Sequence, residues 1–275
     1  MKNKFIQIFN PFINILLFLF SRKTVQVLVD TMLHFLLKLK GYKNFGSFRL
    51  TGEEFFLNKI KDYDIKYSLD IGANTGNYSE KIIKITKSKV ISFEPSIDSF
   101  SKLRKLKKKY PKQLFIYKVA LSNKNTILKF YSVGKNSQLA SFEKNINKFS
   151  YVNKKNIKIK KLKTLIGDNF LKKLKIKGSI DFIKIDTEGH DFKVLLGLKK
   201  TIDQHKPKFI QFEMNWHYLF NGYNIFKISS QFKDYNIYRM LPYKSGIIKI
   251  DPNHPNNNLF HLSNYVLVRK EISLN

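Results

Sequence analysis

Acids are scarce in this chain, twenty in 275 residues. Six of them (Asp70, Glu94, Asp186, Glu188, Asp191 and Glu213) fall at or just past the ends of runs that read as β-strands. Carboxylates gathered at strand ends can accept a proton from a nucleophile, hold a cationic or hydroxyl-rich ligand, or bind a divalent cation. The first of them opens "SLDIGANTGNYSE", residues 68–80, where Gly72, Asn74 and Gly76 follow a short apolar run. A phosphate-binding P-loop needs Gly-Lys-Ser/Thr at the helix start, and no such sequence follows Gly76. A dinucleotide fingerprint needs Gly-x-Gly-x-x-Gly, whereas Asn74 holds the middle position here. The glycine missing there is the one that lets a pyrophosphate touch the backbone, so the loop suits a ligand without a diphosphate. Glu94 lies 18 residues beyond Gly76, near the ~20 at which a carboxylate meets ribose hydroxyls. Asp70 is a second carboxylate beside the same crevice. A negative pair disfavours a phosphate ligand and favours a positive one. S-adenosylmethionine carries a sulfonium, an ammonium and a ribose, and no phosphate.

The second group is "DFIKIDTEGHD", 181–191, with Asp186, Glu188, His190 and Asp191 within six residues. "FEMNW", 212–216, adds Glu213, Asn215 and Trp216. In open α/β sheets ligands bind beyond the carboxyl ends of strands, so these side chains should face the crevice of Asp70 and Glu94. Two chemistries fit. Asp186, Glu188 or His190 can take the proton of an attacking hydroxyl. Alternatively Asp186, Glu213 and Asn215 can present oxygens to a divalent cation such as magnesium. Glu188 and Asp191 also suit the first turn of a helix, and His190 a surface position.

From residue 67 the elements that must position these groups alternate between strand and helix, which predicts a mostly parallel sheet covered on both faces. Strands are expected at 67–71, 89–94, 114–120, 181–186 and 207–214, with a final hairpin near 235–240 and 262–269. Helices are expected at about 77–87, 97–109, 164–174 and 191–200. Residues 125–163 read as irregular, with strand-like pieces at 126–132 and 156–162 around a stretch rich in Ser, Asn and Lys.

The chain divides into 1–40, hydrophobic and amphipathic helices, and 41–275, the catalytic domain. The run at 5–20 is shorter than the about 20 apolar residues of a spanning helix, and it contains Gln7, Asn10, Pro11 and Asn14. "SRKT" follows it where a cleaved signal would have small residues. Residues 24–40 carry apolar positions at helical spacing opposite Gln26, Asp30 and His34. The pair is expected either to cap the catalytic core or to lie peripherally on a membrane face. The absence of cysteine suits a reducing, cytoplasmic compartment.

At these residues the chain resembles the FkbM family of S-adenosylmethionine-dependent methyltransferases. The matching pieces are "LDIGANTGNYS", "ISFEPS", "VALSN", "IDFIKIDTEGHDFKVLLGL" and "KPKFIQFEMN". The resemblance implies the class I methyltransferase fold: a Rossmann-like, seven-stranded, mostly parallel sheet with an antiparallel last strand. It implies that Asp70, Gly72, Asn74, Gly76, Glu94 and Pro95 bind the cofactor, with Glu94 on the ribose. Ala120, Leu121 and Ser122 would border the adenine, and Asp186 and Glu188 would lie near the transferred methyl group. Two departures sit towards the acceptor side: Ile166 where the family commonly has an acid, and His190–Asp191 after the Glu-Gly pair.

The function expected is methylation of a sugar hydroxyl in a cell-surface glycan, a lipid-linked saccharide or a secondary metabolite. The formal charge of +31 raises a nucleic-acid methyltransferase as an alternative. Against that, arginine, the residue suited to bidentate phosphate and base contacts, occurs only five times among 51 basic residues. A non-catalytic or nucleotide-binding protein on the same fold is the third reading.

Overall fold

Strands buried on both faces build the centre of a mostly parallel sheet, and "SLDI", "VISF", "IDFIKI" and "FIQFEM" are buried at every position but Glu213. The computed structural model of the protein describes residues 2–133, 141–144 and 157–274. Its strands are β1 (Tyr67–Ile71), β2 (Lys89–Phe93), β3 (Leu114–Tyr117), β4 (Ala120–Ser122), β5 (Thr126–Val133), β6 (Ile157–Ile166), β7 (Ile180–Ile185), β8 (Phe209–Met214), β9 (Tyr235–Met240), β10 (Ile247–Lys249) and β11 (Ser263–Arg269). The helices are α1 (Lys2–Phe20), α2 (Gln26–Leu39), α3 (Glu53–Ile60), α4 (Asn77–Thr86), α5 (Ile97–Lys109), α6 (Gly167–Leu174), α7 (Asp191–Gly197), α8 (Lys199–His205), α9 (His217–Asn221) and α10 (Ile225–Gln231).

The large sheet runs β10-β9-β11-β8-β7-β1-β2-β3. β3, β2, β1, β7 and β8 are mutually parallel, and β11 inserts antiparallel between β8 and β9. This is the expected seven-stranded arrangement with one edge strand, β10, added beside β9. The expected strand at 114–120 divides: β3 stays in the large sheet, whereas β4 joins β6 and β5 in a separate three-stranded sheet. The expected helix at 191–200 is also two, α7 and α8, interrupted at Leu198. Most of the polar stretch expected to be irregular falls at 134–140 and 145–156, outside the described residues.

Helices α6 to α10 bury Leu171, Phe192, Leu195, Ile202, Tyr218 and Ile228 against one face of the sheet. Helices α3 to α5 bury Phe56, Leu57, Ile60, Ile82, Phe100 and Leu103 against the other. Chain order reverses between β1 and β7, and the crevice beyond their carboxyl ends is the switch point where such sheets bind ligands. The two strand ends approach closely there. Gly72 has φ +84°, and a Cβ on it would stand 1.9 Å from the Asp186 carbonyl oxygen, so no side chain fits.

The expectation that α1 and α2 cap the core is corrected by their exposure. Among their described side chains only Leu37 is buried, whereas Phe12, Leu17, Phe18, Val27, Phe35 and Leu39 are each more than half exposed. No single helix among the described residues is long and apolar enough to cross a membrane, but Pro11–Phe20 and Lys23–Leu39 together form a pair bent by 84° that meets the length and composition required.

Candidate active site

The alternation of β-strand side chains puts Asp70, Lys184 and Gln211 on one face of the sheet, and cross-strand register puts them in one row. Ser92 pairs with Asp70, Asp70 with Lys184, and Lys184 with Gln211. All four are buried, beneath α3 and α4. Such a row is costly unless satisfied, and here it is. Ser79 Oγ donates to Asp70 at 2.5 Å, and Tyr78 OH donates to Gln211 Oε1 at 2.5 Å. Gln211 Nε2 donates to Glu53 at 2.8 Å, and Lys184 Nζ donates to Asp186 Oδ2 at 2.9 Å while standing 4.8 Å from the Tyr78 ring centre. Desolvation works against the Lys184 ammonium, but Asp186, Glu53 and Asp70 outweigh it and hold the proton on. Burial pushes Asp70 up to about 6, opposed mainly by Lys184.

Above this row, beyond the strand ends, lies a cavity of about 1140 Å³. Gly72 and Asn74 line it from the β1–α4 turn, Glu94, Pro95 and Ser96 from the β2–α5 turn, and Asp98 from the first turn of α5. Asp186, Thr187 and Glu188 line it after β7, with Glu213 at the end of β8. Asn74 stands at φ +50°, which explains an asparagine where a dinucleotide loop has glycine. Its amide donates to Glu94 Oε2 at 2.8 Å and its side-chain oxygen accepts from Ser99 at 2.7 Å. Glu94 Oε1 accepts the Ser96 amide at 2.7 Å. Desolvation pushes Glu94 up to about 7 despite those two amides, with Asp70 and Asp186 adding to the rise.

Asp186, Glu188 and Glu213 each offer a carboxylate oxygen within 4.8 Å of the others. Burial, then the charge on Asp186, pushes Glu188 and Glu213 well above the ordinary carboxylate range. A divalent cation could bridge such a trio, yet Asp186 already has the buried Lys184 ammonium as counter-ion. Asn215, expected as a third oxygen ligand with Asp186 and Glu213, uses its amide to donate to Glu213 at 3.1 Å and its oxygen to accept the His217 amide at 3.1 Å.

The structure places several expected site residues away from the cavity. Asp70 and Gly76 support the turn from behind: Asp70 is closed off by Ser79, and Gly76, at φ +89°, packs beneath Leu103 and Leu106. Ala120, Leu121 and Ser122 are buried in β4 and do not line the cavity. His190 is fully buried, with Nε2 2.9 Å from Ser122 Oγ and Nδ1 3.4 Å from Glu143. Burial lowers its basicity, and its ring nitrogens face Ser122 and Glu143 instead of the cavity where a base was expected. Asp191 likewise ties that loop, accepting the Gly189 amide at 3.1 Å and the Thr187 hydroxyl at 3.2 Å.

Other residues reach the site without having been singled out from the sequence. Asn44, Phe45, Gly46, Thr51 and Glu53 line the cavity from the segment ahead of β1, and Asn264 from β11. Only Lys184 carried a visible signal, as the one charge inside the apolar run "FIKI".

The donor chemistry fits S-adenosylmethionine. Six carboxylates (Glu53, Glu94, Asp98, Asp186, Glu188 and Glu213) and two lysines (Lys102 and Lys160) line the cavity. In a chain this basic, a lining of six carboxyl groups and two lysines suits a cationic ligand, whose charge would favour their ionised forms, better than a phosphate. Glu94 and the Gly72–Asn74 turn would hold the ribose and amino acid portions.

No curated protein matches the sequence. Among solved structures, the chain is similar to a putative rRNA methylase from Clostridium thermocellum, at 9% identity, a TM-score of 0.41, and coverage of 79% of this chain and 97% of that one. It is similar to an rRNA methylase from Streptococcus thermophilus at 11% identity and a TM-score of 0.42, over 79% and 93% of the two chains. It is also similar to TrmK of M. capricolum in complex with S-adenosylhomocysteine, at 14% identity and a TM-score of 0.41, over 78% and 68%. The model of the methyltransferase FkbM domain family matches residues 70–239. That span takes in the Gly72 turn, Glu94, the Asp186–Asp191 loop and Glu213, and the chain accordingly belongs to the FkbM methyltransferase family.

Proposed function

We propose that the chain moves a methyl group from S-adenosylmethionine to a hydroxyl oxygen of a sugar, in a cell-surface glycan, a lipid-linked saccharide or a secondary metabolite. The observation that carries this reading is the division of carboxylates within one cavity. Glu94 stands beside the glycine turn, while Asp186, Glu188 and Glu213 stand together at the ends of β7 and β8. When bound, S-adenosylmethionine supplies a methyl group made electrophilic by its sulfonium. Each Glu94 oxygen accepts one backbone amide and keeps a lone pair for a ribose hydroxyl. A hydroxyl acceptor gains most from a base whose pKa lies near the working pH. Burial, and then the charge on Asp186, raises Glu188 and Glu213 above the ordinary carboxylate range. A volume of about 1140 Å³ exceeds the roughly 300–1,000 Å³ of a pocket for one small ligand, which leaves room for an acceptor beside the cofactor. Six carboxyl groups against two lysines in the lining make a poor match for a nucleic-acid backbone at that position.

S-adenosylhomocysteine at 100 times its dissociation constant should stabilise the protein by about 2.7 kcal/mol, with Glu94→Ala removing most of the gain. Asp186→Ala and Glu188→Ala should keep that gain and lose turnover by roughly 10²–10⁴-fold. The acceptor is sought as the methyl group missing from glycans and lipids of cells lacking the protein. Stabilisation by NAD with none by S-adenosylhomocysteine would overturn the reading. Loss of turnover on chelation, restored by magnesium, would make the carboxylate trio a metal site instead of a base.

A further inference from the structure

The amino-terminal helices present an apolar surface that the rest of the chain leaves open. A water-soluble monomer rarely leaves so much contiguous apolar surface exposed. The charge around them is one-sided. Residues 1–50 contain eight lysines and arginines and a single acid, Asp30. Arg22 and Lys23 lie at the 84° bend between α1 and α2, both exposed, with the Arg22 guanidinium 5.1 Å from the Phe18 ring centre.

The far end of α2 is fastened to the catalytic domain. Tyr42 is fully buried, with the Arg239 guanidinium 4.1 Å from its ring centre and donating to its hydroxyl. Arg239 Nε also donates to the Lys40 carbonyl at 2.6 Å, and Ser263 Oγ donates to the Gly41 carbonyl at 3.0 Å. Gly41, at φ +82°, passes so near β9 that a Cβ would stand 2.1 Å from the Met240 carbonyl oxygen. Three residues further on, Asn44, Phe45 and Gly46 line the cavity. The exposed helices and the rim of the cavity are therefore joined through one short, well-packed connection.

We propose that α1 and α2 lie in the headgroup layer of an anionic lipid bilayer and hold the cavity rim at that surface. Apolar side chains such as Phe18, Val27, Phe35 and Leu39 would enter the acyl boundary while the flanking bases meet lipid phosphates. A second copy of this chain is the poorer occupant, because it would set two strongly basic segments against each other. Crossing the bilayer as one bent span is poorer too, because Arg22 and Lys23 at the break would stand in hydrocarbon.

The full chain is tested by sedimentation with vesicles of phosphatidylcholine alone and of phosphatidylcholine with phosphatidylglycerol. It should pellet with the anionic vesicles, far less with the neutral ones, and be released by high salt or alkaline carbonate. Val27→Ser with Phe35→Ser should abolish pelleting and leave the melting transition of the catalytic domain in place. Arg22→Gln with Lys23→Gln should weaken partitioning about 30-fold, equivalent to about 2 kcal/mol. Equal binding to neutral vesicles, or none to either, overturns the proposal. So does retention after carbonate, which indicates a span, or a lipid-independent dimer dissolved by the Val27 and Phe35 substitutions. Methyltransferase activity enters none of these readouts, so the docking surface and the proposed reaction stand or fall separately.

Discussion

Glu94 is buried at the wall of the cavity, and that burial also moves its carboxyl towards neutrality. If Glu94 holds the ribose as proposed, the hydroxyls donate to its carboxylate and capture needs the ionised form, whereas desolvation has pushed that carboxyl up to about 7. The folded value is above the unfolded one of about 4.3. This group's contribution to stability is therefore fully present below about 4 and lost as pH rises through about 7. Ligand capture runs the opposite way over the same interval. One pH unit below 7, only about one molecule in eleven has Glu94 ionised, so the apparent dissociation constant for S-adenosylhomocysteine should be about tenfold weaker than on the alkaline side. Calorimetric titrations through neutrality check this. Glu94→Gln should bind weakly and without pH dependence, and a flat profile in the native chain would remove Glu94 from the ribose.

At the scale of elements, the loop between β7 and α7 is held from outside the cavity. The chain Ser122–His190–Glu143–Lys193 joins β4, the segment 141–144 and α7, with Lys193 Nζ donating to Glu143 at 2.9 Å. Ser141 Oγ adds a bond to the Glu188 carbonyl at 2.5 Å. His190→Ala should therefore cost stability, about 1–3 kcal/mol for the polar partners left unpaired, and leave the pH–rate profile unchanged. Urea unfolding and rate profiles measure the two effects separately, and a displaced acid limb would restore His190 as a base. The same loop shows what was legible beforehand. "IKIDTEG" marks a strand running into a ligand-facing turn, and the count of acids at strand ends marks the cavity, because both signals are local. His190 looked like a base because its partner Glu143 lies in a polar stretch with no periodicity. Lys184 was visible, but its neighbours Asp70 and Gln211 are set by cross-strand register, which a single sequence does not display. Glu53 and Asn44 come from a segment without a motif, brought to the cavity by the packing of Tyr42 and α3.

Across the whole molecule, charge is sorted by depth. Six of the twenty acids line one cavity, while exposed lysines crowd the outside, as at Lys105, Lys108 and Lys109 on α5 and Lys158, Lys161 and Lys163 on β6. Arg239, one of only five arginines, is spent internally as the clamp on Tyr42. Such a surface attracts any polyanion through counterion release but offers few of the bidentate forks that read bases. Binding to RNA or DNA should accordingly be indifferent to sequence and collapse with salt. A protein neutralising six to ten phosphates loses roughly 10³–10⁵ in affinity over about a fourfold rise in salt. Capture of S-adenosylhomocysteine should respond far less, because its counter-charges are buried and poorly screened. Titrating labelled RNA and the cofactor product in parallel across a salt series separates the two. If RNA binding proves sequence-selective and survives salt while cofactor capture does not, the basic exterior is the recognition surface and the carboxylate-lined cavity serves a nucleic-acid acceptor.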